Sequence, residues 1–307
     1  MRVAPGLDLI DLDYLGQPEA IAAALLETPD GFAVVDPGPT TSLGTLRAAL
    51  TARGASVDEL RWVLLTHIHL DHGGGTGVLV RENPRLRVFV HERGARHLED
   101  PGKLIDSATR IYGDRMAYLW GEFLPVPGEN LQVLRGGERL ELAGRAIRVA
   151  ATPGHAWHHV SYLDERSGVA FVGDVAGERY PGTTFVIPVT PPPDIDIEAW
   201  TRSWEHLRQW NPVAIFLTHF GPFRDVAAHL DQLERRTEAW AEFVREGLGR
   251  DIPDAEKAQA FYDWALEEMR SQLPGPVAER YARAAGVLDS WTGLARYWRK
   301  KAEKGAT

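Results

Sequence analysis

The chain has 307 residues, of which 44% are hydrophobic and 25% charged, a balance typical of globular domains with a sizeable core. It contains no cysteine, which excludes disulfides, thiolate nucleophiles and cysteine metal sites. A formal charge of −9 without a cluster of Lys and Arg argues against nucleic acid as a partner. The sequence shows neither a long apolar run nor a signal-peptide start. We therefore expect a cytoplasmic protein with no membrane partner.

The first half of the chain is predicted to contain strands, one short helix and an irregular helical segment. A hairpin with its turn at Gly31 joins "AIAAALLE" to "FAVVD". The segment "SLGTLRAALTARG" predicts an amphipathic helix that is capped by Ser42 and ends at Gly54. Two buried strands follow, "LRWVLLT", which ends at Thr66, and "RLRVFVHE". Residues 101–123 are predicted to be helical and irregular, as in a lid over a cleft.

The second half repeats this organisation. Two hairpins are predicted in "ERLELAGRAIRVAATPGH" and in "HVSYLDERSGVAFVGD", the latter turning at Gly168. A helix over 195–210 has Asp194 and Asp196 as candidate caps. The segment "VAIFLTH" predicts a last buried strand, which ends at His219.

From residue 225 onward the pattern is helical, with breaks at "GRDIPD" and "LPGP". We predict a domain over 1–224 and a helical extension over 225–307, which covers the cleft or forms the face of a homodimer. The basic end "RYWRKKAEKG" is predicted to be a frayed, solvated terminus.

The segment "LLTHIHLDHGGG" concentrates possible metal ligands at the end of an apolar run. His67 and His69 point the same way if the strand continues through them, and Asp71 and His72 follow after a turn. A buried carboxylate or imidazole is costly unless it is paired, and a metal cation satisfies both. The glycines that follow would let the backbone pass close to the metals and open a helix.

More candidate ligands follow other predicted strands. His155 follows in "TPGH", Asp174 in "FVGD" and His219 in "LTH". Asp36 in "VVDPG" stands at a further strand end, where it would suit the orientation of a ligand histidine. These side chains can meet at one edge of a pair of sheets.

The set of Asp36, "HIHLDH", His155, Asp174 and His219 resembles the five motifs of the metallo-β-lactamase superfamily, in the family's order and over residues 7–225. The resemblance implies an α+β fold, a four-layer αββα sandwich of two mixed sheets with helices outside. It also implies a metal-dependent hydrolase, in which a hydroxide that bridges two metal ions attacks the substrate.

The resemblance also implies the roles of individual residues. Two Zn²⁺ per chain are expected, with iron or manganese as alternatives. Asp71 and Asp174 act in the reaction, and Asp36 and His159 orient ligands. The first metal would take His67, His69 and His155, the second Asp71, His72 and His219, and Asp174 would bridge both.

An aromatic mouth is predicted around this centre, formed by Trp157, Tyr180, Phe185, Phe220 and Phe223. Tyr180 either donates a hydrogen bond to a developing oxyanion, as a catalytic group, or packs beneath its loop. His158 replaces a glycine that is frequent in the family, and it either shapes the pocket or is exposed.

Fold alone does not choose among the reactions of the family. Flavodiiron proteins, RNA-processing nucleases and sulfur dioxygenases are disfavoured, because a flavodoxin domain and a basic exosite are lacking and the second metal site is complete. We predict a hydrolase of the glyoxalase II/lactonase-like branch that cleaves a small carboxylic ester, lactone or thioester. A phosphodiesterase or phosphotriesterase on the same centre is one alternative. An iron-dependent oxidoreductase, similar to persulfide dioxygenases, is the other.

Overall fold

The computed structural model describes residues 1–305, which group into two compact units. Unit 1 comprises Met1–Ala151, His158–Gly173 and Trp210–Arg224. Unit 2 comprises Thr152–Trp157, Asp174–Gln209 and the chain from Asp225 onward. The chain therefore enters unit 2 for the last time at residue 225, and unit 2 also contains two earlier segments.

A seven-stranded sheet forms the first layer of unit 1. Its strands lie side by side in chain order, antiparallel from β1 to β4 and parallel from β4 to β7. The strands are β1 (Arg2–Ala4), β2 (Leu7–Asp11), β3 (Ala22–Thr28), β4 (Gly31–Val35), β5 (Leu60–Leu64), β6 (Arg87–His91) and β7 (Leu131–Leu134). The parallel strands β4 and β5 deliver their carboxyl ends, and the residues after them, to one edge of the sheet.

A six-stranded sheet forms the second layer, in the order β13-β12-β11-β10-β9-β8. Only β11 and β12 pair in parallel, and the other neighbours are antiparallel. The strands are β8 (Arg139–Leu142), β9 (Arg145–Ala151), β10 (Val160–Asp164), β11 (Val169–Phe171), β12 (Ala214–Leu217) and β13 (Gly221–Phe223). The three predicted hairpins are confirmed. Gly31, predicted to lie in the turn of the first hairpin, instead begins β4, and the turn lies at residues 29 and 30.

The inner faces of the two sheets share one apolar core, in which Tyr162 and Phe171 are fully buried. Burial of each large apolar side chain stabilises the fold by about 1.5–3 kcal/mol. Hydrogen bonds also connect the two sheets. The Tyr162 hydroxyl donates to the Leu65 carbonyl at 2.8 Å, and the Ala22 amide donates to the Thr218 carbonyl at 2.8 Å. The mixed two-sheet arrangement confirms the predicted α+β sandwich.

Helices of unit 1 cover the other face of the first sheet through a second apolar core, to which Leu46, Val78 and Leu98 contribute. The helices are α1 (Leu43–Thr51), α2 (Leu70–Gly73), α3 (Thr76–Glu82), α4 (Glu92–Glu99), α5 (Gly102–Tyr112) and α6 (Met116–Trp120). Ser42 precedes α1 but does not cap it, contrary to prediction. It already has helical backbone angles as the last residue of the 3₁₀ turn Thr40–Ser42, and its side chain makes no cap hydrogen bond.

Unit 2 is largely helical. Its helices are α7 (Ile197–Trp210), α8 (Val226–Leu248), α9 (Asp254–Arg270), α10 (Gly275–Ala284) and α11 (Val287–Gly305). The two predicted breaks of the tail are confirmed, and a third lies at Gly286, whose φ of +59° suits glycine. The basic end was predicted to be frayed and solvated. It is not frayed, because α11 continues to Gly305 and its Tyr297 hydroxyl hydrogen-bonds to Glu198, but residues 299–304 are exposed as predicted. Among the described helices, none has the length and apolar content to cross a membrane.

Candidate metal centre

The segment "LLTHIHLDHGGG" leaves the sheet earlier than its sequence predicts. Strand β5 ends at Leu64, and His67 and His69 lie in the irregular segment that follows. His69 then precedes the four-residue helix α2, which carries Asp71 and His72. The histidines therefore owe their arrangement to a tight loop rather than to the alternation of a strand.

Glycines after this loop allow two segments of backbone to approach closely. A Cβ on Gly74 would lie 2.3 Å from the Leu70 carbonyl oxygen, and one on Gly75 would lie 3.0 Å from that of Gly38. The Gly75 amide donates to the Gly38 carbonyl at 2.8 Å, and the Gly38 amide donates to the His72 carbonyl at 3.0 Å. These hydrogen bonds join the Asp36 segment to the ligand loop, and α3 begins directly after the glycines, as predicted.

Asp36 is a buried acceptor for residues of both sheets. Its Oδ1 accepts the Thr66 amide at 2.8 Å. Its Oδ2 accepts the hydroxyls of Thr66 at 2.7 Å and Thr218 at 2.9 Å. The same Oδ2 lies 2.9 Å from His72 Nδ1. Because a carboxylate only accepts, His72 carries its proton on Nδ1 and directs the lone pair of Nε2 elsewhere.

His67 is oriented by the same network. The Thr66 hydroxyl donates its one proton to Asp36, so it accepts from His67 Nδ1 at 3.1 Å. His67 Nε2 lies 2.9 Å from Nδ1 of His69. His67 is fully buried, whereas His69 is partly exposed. Two imidazole nitrogens this close suit a shared cation.

Asp71, His72 and His219 form a second group in unit 1, with one donor atom from each within 4.8 Å of the others. Asp71 Oδ2 lies 3.3 Å from His219 Nε2 and 3.7 Å from His72 Nε2. The Ala20 carbonyl, 2.8 Å from His219 Nδ1, holds that ring as Asp36 holds His72. Both imidazoles therefore direct Nε2 towards one carboxylate.

Unit 2 brings His155 and Asp174 together, with His155 Nε2 3.4 Å from Asp174 Oδ2. His155 Nδ1 donates to the Val189 carbonyl at 2.9 Å. Helix α7 holds both segments. The indole N–H groups of Trp200 and Trp204 donate to the Val175 carbonyl at 2.6 and 2.7 Å, and the Ser203 hydroxyl donates to the Pro153 carbonyl at 2.6 Å. Asp196, predicted as a cap of this helix, accepts the Ala199 amide at 2.8 Å.

The loop of residues 177–190, which provides the Val189 carbonyl, is held by the C-terminal helices. The Tyr281 hydroxyl donates to the Glu178 carbonyl at 2.6 Å, and Arg236 donates to the Val186 carbonyl. His229 Nε2 donates to the Ala176 carbonyl at 2.7 Å, just before the loop. Burial lowers the pKa of His229 to about 4, so this histidine is neutral at pH 7.

The donor set suits a metal centre. Four imidazoles, those of His67, His72, His155 and His219, have Nδ1 engaged by an acceptor and Nε2 directed towards another candidate ligand. Such outer acceptors are the usual supports of metal-bound histidines. With two carboxylates and no cysteine, the set fits zinc, iron or manganese.

The predicted aromatic mouth is only partly supported. Phe185 is fully buried beneath the Arg236 guanidinium, 3.7 Å from the ring centre, and Phe220 belongs to the core between the sheets. Neither ring is therefore exposed to a cleft. Phe223 is half-buried on β13, and Trp157 is 37% exposed. Tyr180 packs edge-on against Tyr281 with ring centres 4.4 Å apart, an arrangement that favours the packing alternative.

Two further histidines lie beside the ligand loop. His159 is buried, with its ring 5.1 Å from that of His67. A Cβ on Gly173 would lie 2.8 Å from His159 Nε2, so this position requires glycine. His158 is half-buried, 5.4 Å from the ring of His69. His158 is therefore next to the candidate centre rather than on a remote surface.

The sequence did not predict several groups that hydrogen-bond to Asp36 or to the candidate ligand histidines. Thr66 and Thr218 each precede a candidate ligand in a Thr-His pair, and this repeated pair is the signal that could have identified them. The carbonyls of Ala20 and Val189 have no such signal, because every residue carries a carbonyl.

Comparisons with known proteins show which family and which folds the chain is similar to. A family model described as the metallo-beta-lactamase superfamily matches residues 16–219. The metallo-beta-lactamase fold-containing protein ST1585 of Sulfurisphaera tokodaii is 31% identical over 168 residues, 54% of this chain and 62% of that protein. A hydroxyacylglutathione hydrolase of a Synechococcus species is 26% identical over 277 residues, 87% of this chain and 94% of that protein. The solved structure of the metallo-beta-lactamase family protein TTHA1429 from Thermus thermophilus is similar in fold, with a TM-score of 0.73 and 24% identity over 98% of this chain and 95% of that one.

Proposed function

Because the chain belongs to the metallo-β-lactamase superfamily and is a metal-dependent hydrolase of that fold, we propose that it cleaves a small carboxylic ester, lactone or thioester at a two-metal centre. The observation that carries the proposal is the common orientation of four imidazoles, each with Nδ1 on an acceptor and Nε2 towards another candidate ligand. A structural histidine needs no such arrangement.

We propose that both groups of unit 1 and the pair of unit 2 contribute to this centre. One ion would be held by His67, His69 and His155, the other by Asp71, His72 and His219, and Asp174 would lie between them. When bound, two cations lower the pKa of water towards neutrality and polarise the substrate. Zinc is the proposed metal, because it accepts mixed imidazole and carboxylate ligands and leaves positions open for water.

The residues of the chain have separate tasks in this proposal. Asp36 keeps the proton of His72 on Nδ1, and the Val189 carbonyl does the same for His155. Asp71, whose Oδ2 lies 3.7 Å from His72 Nε2 and 3.3 Å from His219 Nε2, would accept a proton during hydrolysis. The half-exposed Trp157 is a candidate for substrate contact.

A carbonyl substrate is favoured by the relative named hydroxyacylglutathione hydrolase, which aligns over most of both chains. Its substrate class is a thioester. Esters and lactones share the same electrophilic carbonyl, so one centre can serve all three. The acidic chain, with a formal charge of −9, favours a small substrate over a long polyanion.

The test is a turnover panel on the zinc-loaded chain, with an acyl-homoserine lactone, a lactoyl thioester, an aryl acetate, a phosphodiester and a phosphotriester. We expect kcat/KM for one carbonyl substrate to exceed that for the phosphorus esters by about a hundredfold, or roughly 2.7 kcal/mol. Elemental analysis should give two zinc ions per chain. Faster phosphorus esters would replace the proposal with a phosphoesterase. An iron-loaded chain that oxidises a persulfide with dioxygen and hydrolyses no member of the panel would replace it with an oxidoreductase.

A further inference from the structure

An aromatic cluster of Tyr14, Tyr112 and Trp120 lies in unit 1. Tyr14 stacks on Trp120 with ring centres 5.7 Å apart, and Tyr112 meets Trp120 edge-on at 5.1 Å. Tyr14 belongs to the loop between β2 and β3, while Tyr112 and Trp120 end α5 and α6. All three rings are half-buried, and Tyr14 packs against the apolar core that the helices of unit 1 cover.

The cluster is attached to segments that carry candidate ligands. Its β2–β3 loop also provides the Ala20 carbonyl that holds His219 Nδ1. On the other side, the Thr40 hydroxyl lies 2.6 Å from the Glu122 carbonyl and 3.4 Å from that of Gly74, which follows α2.

Burial raises the pKa of Tyr14 further above the usual value of a tyrosine, so its hydroxyl carries its proton at pH 7 and is a hydrogen-bond donor.

Two hydrogen-bond donors of the cluster point to a ligand. Within residues 1–305, the Tyr14 hydroxyl and the Trp120 indole N–H are buried and have no hydrogen-bond partner. A buried donor without an acceptor costs about 1–3 kcal/mol. An oxygen atom that entered the cluster would recover this free energy, and the surrounding rings would exclude water from it.

The helices that close the cluster are loosely packed. Ala108 is the only buried residue of α5, and α6 has none. Tyr118 is 66% exposed, and Ile111 is 48% exposed. Segments with so few buried apolar contacts open at low free energy, so α5 and α6 can admit a ligand to the two donors.

We propose that Tyr14, Tyr112 and Trp120 form a subsite for the acyl group of the substrate. The subsite selects a flat apolar group that carries an oxygen acceptor, as in aryloxyacetyl esters and thioesters. The rings contact the aryl group, while Tyr14 and Trp120 donate to the oxygen. This inference rests on the proposed function, because it names the acyl group of the same substrate.

Two amides that differ in one atom test the subsite on the zinc-loaded full chain. In 2-phenoxyacetamide the ether oxygen is present, and in 3-phenylpropanamide a methylene replaces it. One recovered hydrogen bond of about 1 kcal/mol predicts roughly fivefold tighter binding of the phenoxy compound. Calorimetry gives both Kd values. In the nitrogen-15 NMR spectrum, the indole signal of Trp120, identified among ten tryptophans by its loss in Trp120→Phe, should shift with the phenoxy compound.

The variants Tyr14→Phe and Trp120→Phe each keep a ring and remove one donor, so each should reduce the preference for the ether oxygen. The control Tyr118→Phe removes an exposed hydroxyl and should leave the preference unchanged. Equal Kd values for the two amides in the unsubstituted protein, or a preference that survives in both variants, would overturn the subsite. Loss of turnover on every ester, with the indole shift retained, would instead contradict only the proposed hydrolysis.

Discussion

Replacement of Asp36 by asparagine tests whether its carboxylate sets the proton position of His72. In Asp36→Asn, the amide oxygen can still accept the Thr66 amide. The amide nitrogen would then face the groups that now donate to Oδ2, namely two hydroxyls and His72 Nδ1. A hydroxyl can rotate and accept, but His72 must move its proton to Nε2, the atom that faces Asp71.

The expected result has two parts. Loss of the Nε2 lone pair should weaken the binding of the second metal ion by about 10–100-fold, which is the usual effect of removing the hydrogen-bond partner of a ligand histidine. Loss of hydrogen bonds to a charged group should lower the free energy of unfolding of the metal-free protein by about 1.5–3 kcal/mol. Zinc calorimetry measures the first effect, and urea unfolding measures the second.

Asp8→Asn is the matched control for the loss of a buried carboxylate. Asp8 is 3% exposed and pairs with Arg2 at 3.0 Å and Arg53 at 2.9 Å, so its substitution should also lower stability. It should leave two zinc ions bound with unchanged affinity. If Asp36→Asn also binds two ions as tightly as the unsubstituted protein, Asp36 does not set the tautomer of His72, and the reasoning fails.

Three further predictions concern unit 2. Asp174→Asn should reduce bound zinc and abolish hydrolysis; an active variant with two zinc ions by elemental analysis would refute its bridging position. Tyr281→Phe should lower the free energy of unfolding by about 0.5–1.5 kcal/mol in urea, because one hydrogen bond to the Glu178 carbonyl is lost while the Ile187 amide still donates to that carbonyl. His229, with a folded pKa of about 4 against 6.5, binds its proton more weakly in the folded than in the unfolded chain. Stability should therefore fall by about 2 kcal/mol from pH 7 to pH 5 through this group, a loss that metal-free His229→Gln should not show.

The apolar runs predicted the strands well, because a short run of apolar residues is typical of a strand that is buried on both faces. The polar candidate residues follow these strands in the sequence. "LRWVLLT" and "VAIFLTH" became β5 and β12, and the candidate ligands follow them. The helices of the C-terminal tail were predicted equally well from the periodicity of their apolar residues, except for the break at Gly286. Periodicity reports burial, and burial is what these elements share.

The remaining parts of the site depend on contacts between segments distant in sequence. The strand assigned through His67 fails because the tight approach of Gly75 to Gly38 draws the chain into α2. Phe185 looked like a pocket residue because it follows Asp174, yet Arg236 covers it from α8. No local pattern records a partner that lies dozens of residues away.

Three of the four candidate ligand histidines with an assigned proton depend on an acceptor from another part of their unit. His219 depends on the β2–β3 loop, and His155 depends on the loop of residues 177–190. Because these acceptors belong to the fold, the imidazoles are oriented before any ion binds, which lowers the free-energy cost of binding. The same linkage requires that a metal which binds only the folded chain also stabilises it. Metal affinity and stability should therefore change together in variants of the acceptors, and separately in variants such as Asp8→Asn that leave the imidazoles in place.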